Sequence, residues 1–421
     1  MRGPAAVPAA ASHPAAGTRA PLPPRWYRAL TAALEPWSAS WGQGGDPAAI
    51  AARRGRGVPA AAAWIHAASV GEAAGVPPLV REWAERRPDE TLLLSALTPG
   101  GRSALARSLP GRPVTAPPVE SLGAARRALA ASGARRLVLL ETEIWPAWLA
   151  AAGERGVRVA VANARLSDRA WPRYRRAAAL FRPHVARLTA VAAQDGVDAE
   201  RWAALGAPPS RVRVAGNTKF DRAPAAAVGE AERRAARAAL GLDPEGVWCV
   251  FGSLRPGEER WLAAALAAGA PLGLRALVVP RHPELWSDPR RRVGEGGAAV
   301  WLLRLGVLPE AYRAADFAVV GGTLEPFGGH NPVEPAALGL PVLLGHSVAN
   351  CRAAAAALLA GGGAETTADP AALGAAAARW TADPSARRAA GEGARRAVAT
   401  LGGAAARTLD WFAECGLWEA P

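Results

Sequence analysis

Ser69-Val-Gly-Glu72 sets a carboxylate three residues after a hydroxyl, close behind a short apolar run. Two kinds of chemistry fit that spacing. A glutamate at a strand-to-helix turn can serve as a general base toward an acceptor hydroxyl. The same S-x-x-E spacing is a capping box, in which hydroxyl and carboxylate close the first turn of a helix. A second group lies in GGTLEPFGGHNPVE, residues 321–334. Glycine lets the backbone approach a ligand closely and offer its N–H groups. Asn331 reads as the N-cap of a helix and Pro332 as a first-turn residue. A helix start of this kind favours a bound phosphate. Glu334 is suited either to a ribose diol or to a first-turn position worth under about 1 kcal/mol. Arg281 and His282 follow another apolar run, where they fit a phosphate clamp or a plain surface pair.

Scarcity adds a pointer. Among the 50 lysine and arginine residues only Lys219 is lysine, and the asparagines number four: Asn163, Asn217, Asn331 and Asn350. Arginine is a planar fork and lysine a compact point charge, so a composition that has turned to arginine keeps lysine where the smaller cation is needed. The six histidines form no HxxxH or HxH pair, and no metal site is visible. P-loop and G-x-S-x-G patterns are absent.

These residues need elements that carry them, and the chain supplies a rhythm. Apolar runs occur at 61–67, 91–96, 136–140, 157–162, 188–193 and 211–216, and again at 247–252, 274–280, 298–303, 316–320 and 340–344. Amphipathic stretches such as 72–87 and 124–133 lie between them. Continuous apolar strands alternating with helices predict parallel sheets covered on both faces. The candidate residues stand just after the strands, where open α/β sheets bind their ligands. The pattern predicts an Ala/Pro-rich disordered tail over 1–24, an N-terminal Rossmann-like domain over 25–216 and a linker at 217–230. A C-terminal Rossmann-like domain follows over 231–400, and a helical segment at 401–421 packs back on the N-terminal domain. A length of 421 residues suits two domains.

The net charge of +14 points to acidic partners: phosphorylated substrate or anionic lipid. No RNA-binding signature or compact basic run is present, so nucleic acid is not expected. Cys249, Cys351 and Cys415 are too far apart for a disulfide framework. No stretch approaches the roughly 18–20 apolar residues of a membrane span. In 25–37, however, Trp26, Leu30, Ala33, Leu34 and Trp37 share a helical face beside Arg25 and Arg28, with Pro36 expected to end the helix after about three turns. That face suits a membrane interface or packing within its own domain.

Seven blocks in order resemble the 3-deoxy-D-manno-octulosonic acid (Kdo) transferase family of lipid A and lipopolysaccharide biosynthesis. They are WIHAASVGE (64–72), ETEIWP (141–146), NARLSDRAWPRY (163–174), the 193–221 stretch ending VAGNTKFD, GSLRPGEE (252–259), VPRHPE (279–284) and VGGTLEPFGGHNPVEPAALGLPVLLG (320–345). The resemblance implies a GT-B glycosyltransferase, α/β, with two Rossmann-like domains facing across a cleft. It implies CMP-Kdo as donor, a lipid A precursor as acceptor, inversion at the anomeric carbon and no cofactor or metal. Glu72 is then the catalytic base, with Ser69, Gly71, Glu143 and Arg165 on the acceptor side. Donor binding falls to Ser253, Arg281, His282, Gly321, Gly322, Thr323, Gly329, His330, Asn331, Glu334, Asn350 and Lys219. The implied location is peripheral, on the cytoplasmic face of the inner membrane of a Gram-negative cell.

The chain departs from the family pattern at Leu254, at Arg304 and Val307-Leu308, at Glu120 in place of aspartate, and at Cys351 in place of an aromatic residue. Two other readings share the fold: a GT-B enzyme with a UDP-sugar donor, and an inactive relative that binds acidic lipid.

Overall fold

In the computed structural model, residues 20–221 and 227–419 are described. The expected tail at 1–19 and the middle of the expected linker, 222–226, lie outside them. The chain forms two compact units: residues up to Asp221 together with Gly403 onward, and Arg222–Gly402.

The first unit is built on seven parallel strands: β1 Ala63–Ala67, β2 Leu92–Ala96, β3 Val114–Thr115, β4 Arg136–Leu140, β5 Arg158–Ala164, β6 Ala190–Ala193 and β7 Val212–Val214. Their order is β3-β2-β1-β4-β5-β6-β7. Every residue of β1, β2 and β4 is buried, as expected of strands with helices on both faces. Successive side chains alternate between two cores. Trp64, Leu93, Leu137 and Leu139 meet Trp148 on one face. Ile65, Leu92, Leu94 and Val138 pack with Leu409 and Phe412 on the other. A fully buried side chain of this size stabilises by about 1.5–3 kcal/mol. Leu409 and Phe412 lie on the C-terminal helix Ala404–Glu414, which therefore completes this core. Asp221 accepts hydrogen bonds from Ala404 N–H (2.9 Å) and Ala405 N–H (2.5 Å) and so caps that helix.

The second unit repeats the plan with β8 Val247–Leu254, β9 Leu274–Pro280, β10 Ala299–Trp301, β11 Phe317–Val320, β12 Val342–Leu344 and β13 Ala364–Thr366. Their order is β10-β9-β8-β11-β12-β13, again all parallel. In each sheet the winding reverses at one place, between β1 and β4 and between β8 and β11. All eleven apolar runs of the sequence are strands. The edge strands β3 and β13 were not expected, because β3 has only two residues and β13, Ala-Glu-Thr, is not an apolar run.

Three local expectations are corrected. The stretch 72–87 is not one helix but two, Val70–Ala73 and Val76–Arg86, because Pro77 and Pro78 fit only the first turn of a helix. The break at Gly75 has a use. A Cβ there would stand 2.7 Å from Asn163 Nδ2 and 2.9 Å from Thr218 Oγ1, so glycine admits the 217–220 segment. That segment, expected to open the linker, is built into the first unit as the 3-10 turn Thr218–Phe220. Finally, Pro36 does not end the first helix, which runs Arg25–Ser40. Its last turn is held from outside: Arg53 donates to Ser38 O at 2.8 Å, and Ser121 Oγ donates to Glu35 at 2.5 Å. No helix among the described residues is long and apolar enough to cross a membrane.

Candidate active site

At the carboxyl ends of β1, β4 and β5 the first unit gathers Glu72, Glu141, Glu143, Lys219, His66 and Asn163. Glu72 sits in the short helix Val70–Ala73 behind Ser69, whose hydroxyl accepts from Glu72 N–H at 3.4 Å. The Glu72 carboxylate accepts from Ala68 N–H at 2.6 Å. The capping geometry is thus present, and it leaves the carboxylate half-buried beside two other acids. Burial first and then the Glu143 charge push the Glu72 carboxyl up to about 8, with Glu141 adding to the rise. The Ala68 N–H and Lys219 pull the other way. A carboxyl tuned in this way is a base matched to neutral pH.

Lys219 is half-buried, and its ammonium lies 2.5 Å from Glu141 Oε1. It is therefore placed in the first unit, unlike the other residues expected at the donor. A net of amides holds it there. Asn217 Oδ1 accepts from Lys219 N–H (3.0 Å), Asn163 Oδ1 from Thr218 N–H (2.9 Å), and Asn217 Nδ2 donates to Gln194 Oε1 (3.2 Å). Glu141 and Asn163 both have left-handed backbone, with φ of 57° and 51°. Such residues carry about 1–3 kcal/mol of strain and cluster at functional sites. Glu143 accepts from Trp145 Nε1–H at 2.7 Å and faces buried His66, whose Nε2 is 3.5 Å away. Trp64 Nε1–H donates to Ser95 Oγ, which in turn bonds His66 Nδ1 at 2.9 Å. Gly71 is exposed and Arg165 half-buried, its N–H donating to Glu141 O at 3.3 Å.

The second unit gathers a different set at the ends of β8, β9 and β11. Ser253 is the third non-glycine residue with left-handed backbone among the described residues, at φ 59°, where β8 slips register against β9. Gly321 packs on it so closely that a Cβ would lie 2.5 Å from Ser253 O. Gly322, at φ 72°, stands against His330, 2.6 Å from its ring for an added Cβ. His330 Nε2 is buried with no protein partner. Burial, then Arg281, Arg255 and His282, push His330 down to about 4. Arg281 and His282 are exposed, and Arg255 lies 4.2 Å over the Phe327 ring. This end is cationic, and the orphan imidazole is a ready donor or acceptor.

The glycine loop does not offer free N–H groups as its composition suggests. Gly321 N–H donates to Gly252 O (2.8 Å), Gly322 N–H to Glu258 (2.7 Å), Gly328 N–H to Ser347 Oγ (2.8 Å) and Gly329 N–H to Gly322 O (2.7 Å). Thr323 is fully buried, its hydroxyl bonded to Val320 O and Gly345 N–H. The helix after the loop is only Val333–Ala337, and Asn331 Oδ1 already accepts from Val333 N–H at 3.0 Å. Asn331 Nδ2 also donates to exposed Glu334 at 3.3 Å. The expected helix-dipole phosphate site is thus reduced to one short, capped turn. Asn350 fastens the loop instead, its Nδ2 reaching Phe327 O and Gly329 O. Of the departures, Leu254 is buried in the core and Glu120 accepts from Tyr27 O–H (2.8 Å) and Ala147 N–H (2.7 Å). Sequence reading missed His66, Glu141, Arg255 and Glu258; all four stood in the quoted blocks with no spacing to mark them.

The family described as 3-Deoxy-D-manno-octulosonic-acid transferase (kdotransferase) matches residues 47–222. A 3-deoxy-D-manno-octulosonic acid transferase from Bordetella pertussis is 33% identical over 380 residues, 83% of this chain and 86% of that protein. One from Haemophilus influenzae is 29% identical over 309 residues, 68% of this chain and 71% of its own. Among solved structures, HepE from Anabaena in complex with UDP and glucose has a TM-score of 0.60 at 14% identity, covering 83% of this chain and 98% of its own. UDP-GlcNAc 2-epimerase from Neisseria meningitidis has a TM-score of 0.57 at 13% identity, with the same coverage. These likenesses show the two-domain Rossmann-like architecture of the GT-B class. With a third of its residues shared with the Bordetella enzyme along most of both chains, the chain belongs to the 3-deoxy-D-manno-octulosonic acid transferase family.

Proposed function

We propose that this protein transfers Kdo from CMP-Kdo to a lipid A precursor, with inversion at the anomeric carbon and Glu72 as general base. The observation that carries the reading is the Glu72 carboxyl, pushed up to about 8 among Glu143, Glu141 and Lys219 at the carboxyl end of β1. The acceptor hydroxyl oxygen bonds to the anomeric carbon as the bond from that carbon to the phosphate oxygen breaks. The hydroxyl proton passes to Glu72, and CMP leaves with the electron pair. Cations near a departing phosphate stabilise the charge it gains. Arg281 and Arg255 supply them in the second unit, and the imidazoles of His282 and His330 offer hydrogen bonds, with Ser253, Gly321, Gly322, Gly329, Asn331, Glu334 and Asn350 completing the donor side. Ser69, Gly71, Glu143 and Arg165 serve the acceptor. Lys219 holds Glu141 and tunes Glu72.

The protein works at an anionic membrane surface, on the cytoplasmic face of the inner membrane. The support is the helix Arg25–Ser40, where Trp26, Leu30, Leu34 and Trp37 are exposed on one face, followed by Trp41 at 84% exposure. Aromatic and aliphatic side chains beside Arg25 and Arg28 suit the lipid headgroup boundary. Transfer from enzymatically generated CMP-Kdo to a tetraacylated lipid A precursor, read by mass, tests the function. A rate from folded Glu72→Gln about 10²–10⁴ below that of wild type is expected. Equal rates from both discard Glu72 as base, and no product from wild type discards the reading. Co-sedimentation with anionic vesicles tests the surface: Trp37→Asp is expected to lower binding, and equal binding would remove this helix from the interface.

A further inference from the structure

Glu258 is a buried carboxylate that the proposed transfer does not use. It is 0% exposed, at the end of the Arg255–Glu258 turn that follows β8. One oxygen accepts from Arg255 N–H at 2.8 Å. The other accepts from Gly322 N–H at 2.7 Å and from Leu324 N–H at 3.3 Å. The three donors belong to two different turns. One begins at Arg255, two residues after Ser253 at the end of β8, and the other carries Gly321–Thr323. They leave β8 and β11, the neighbours between which the winding of this sheet reverses, the place where open α/β sheets bind ligands. Gly321 packs directly on Ser253, so the turns are in contact as well as bonded through one side chain.

We infer that Glu258 is the positioning residue of the donor half, a single carboxylate that locks these two turns in register and thereby sets where Ser253, Arg255 and His330 stand. The inference rests on the reading of this half as the nucleotide side. Its chemistry is specific. An ionised carboxylate only accepts hydrogen bonds, and bonds to it from N–H groups are about twice as strong as neutral ones. The bonds also consume the Gly322 and Leu324 N–H groups. Recognition of a nucleoside monophosphate at this end therefore falls to side chains, Arg281, His282, Arg255 and the unpartnered His330, rather than to loop amides. Burial pushes the Glu258 carboxyl up to about 7, opposed by the N–H bonds from Arg255, Gly322 and Leu324. Once protonated, it turns one acceptor into a donor against an N–H group and releases a turn. The charged groups around it are otherwise engaged. Glu259 accepts from Gly257 N–H, Glu325 pairs with Arg260 and Trp261, and His330 stands beyond Gly322.

The test is calorimetric titration of CMP into the full chain from pH 6 to 8.5, for wild type and Glu258→Gln, with melting temperature and steady-state transfer alongside. Glutamine keeps the size but must aim an N–H₂ group at Arg255 N–H or Gly322 N–H. Expected are a tenfold or greater loss of CMP affinity and a raised donor KM with unchanged acceptor KM. Wild type also loses affinity as pH falls through 7 more steeply than the glutamine variant. Should glutamine prevent folding, Glu258→Asp carries the same test, because its shorter reach satisfies only one turn while keeping the charge. A folded variant that binds CMP like wild type, with the same pH profile, overturns the inference alone. Wild type that does not bind CMP overturns it together with the donor reading.

Discussion

The two sheets share one winding plan, yet the ends that carry chemistry are built in opposite ways. At the first, side chains do the building. Three carboxylates and one lysine crowd together, and a net of Asn163, Asn217 and Gln194 holds the segment that carries Lys219. At the second, glycines let turns stack, backbone groups bond one another, and exposed Arg281 stands near an imidazole whose Nε2 is buried without a partner. The difference fits the proposed tasks. A base needs its pKa raised, which burial beside like charges achieves. An anion site needs fixed positive groups, and Arg255, held 4.2 Å over the Phe327 ring, is one. The fold supplies only the place.

The largest expected effect breaks the acidic half. Glu72→Gln is expected to lower kcat by about 10²–10⁴, the usual worth of a positioned base. Stability should move the other way. The folded-state carboxyl is raised from 4.5 to about 8, so the folded protein binds the proton more tightly than the unfolded chain, and stability falls as pH rises between those values. Glutamine removes that loss, so the variant melts higher than wild type at pH 8 and about equally at pH 4.5. Wild-type activity in turn rises with pH up to about 8. A variant that is both inactive and less stable at pH 8 would mean that Glu72 is a structural cap.

A pair of glycines tests the contrast directly. Gly321→Ala puts a Cβ 2.5 Å from Ser253 O and 2.8 Å from Leu254 N, both backbone atoms that cannot step aside cheaply. Overpacking of this kind costs about 1–3 kcal/mol, and CMP affinity should fall by about 10–100-fold. Gly196→Ala, just past β6 in the first unit, meets nothing within 4 Å, so transfer should stay within about twofold of wild type. Equal tolerance at both positions would end the distinction between the two ends.

How much of this was legible beforehand follows the same division. Val and Leu runs announced the strands, because burial on both faces leaves a continuous apolar signature, while Val114–Thr115 is too short to leave one and Ala364-Glu365-Thr366 is not apolar. The Ser69 and Glu72 spacing was legible as chemistry and as a cap, and the structure realises the cap geometry around a raised carboxyl. The glycine loop was legible as a close approach but misread as a donor of N–H groups. Composition cannot say that Glu258, far along the chain, takes the Gly322 N–H. Glu141 and His66 were missed for a similar reason. Neither has a local spacing, and each matters only through partners 78 and 29 positions away.

Lys219→Arg is a subtler break of the acidic half. The guanidinium is longer and planar, whereas the ammonium fits at 2.5 Å against Glu141 between the Asn217 turn and β4. The charge survives but moves, so the fold should hold, with transfer reduced about tenfold or more. Because Lys219 lowers the Glu72 pKa, its displacement should shift the rise of activity to higher pH. An unshifted profile with full activity would make the chain's one lysine a remnant of composition.

The smallest effect concerns how that turn is tethered. Asp221 follows the Thr218–Phe220 turn and caps the helix Ala404–Glu414 through two N–H groups. Asp221→Ala removes a helix cap worth about 1 kcal/mol, which should lower the melting temperature by about 2–4 °C. Asp221 N–H also donates to Thr218 O at 3.2 Å, but that bond belongs to the backbone and survives the substitution. Lys219 should therefore keep its place on Glu141, and kcat should stay within about twofold of wild type. A fall in kcat with the upward pH shift expected of Lys219→Arg would show that the cap also holds the lysine, and the acidic end would then extend to the C-terminal helix.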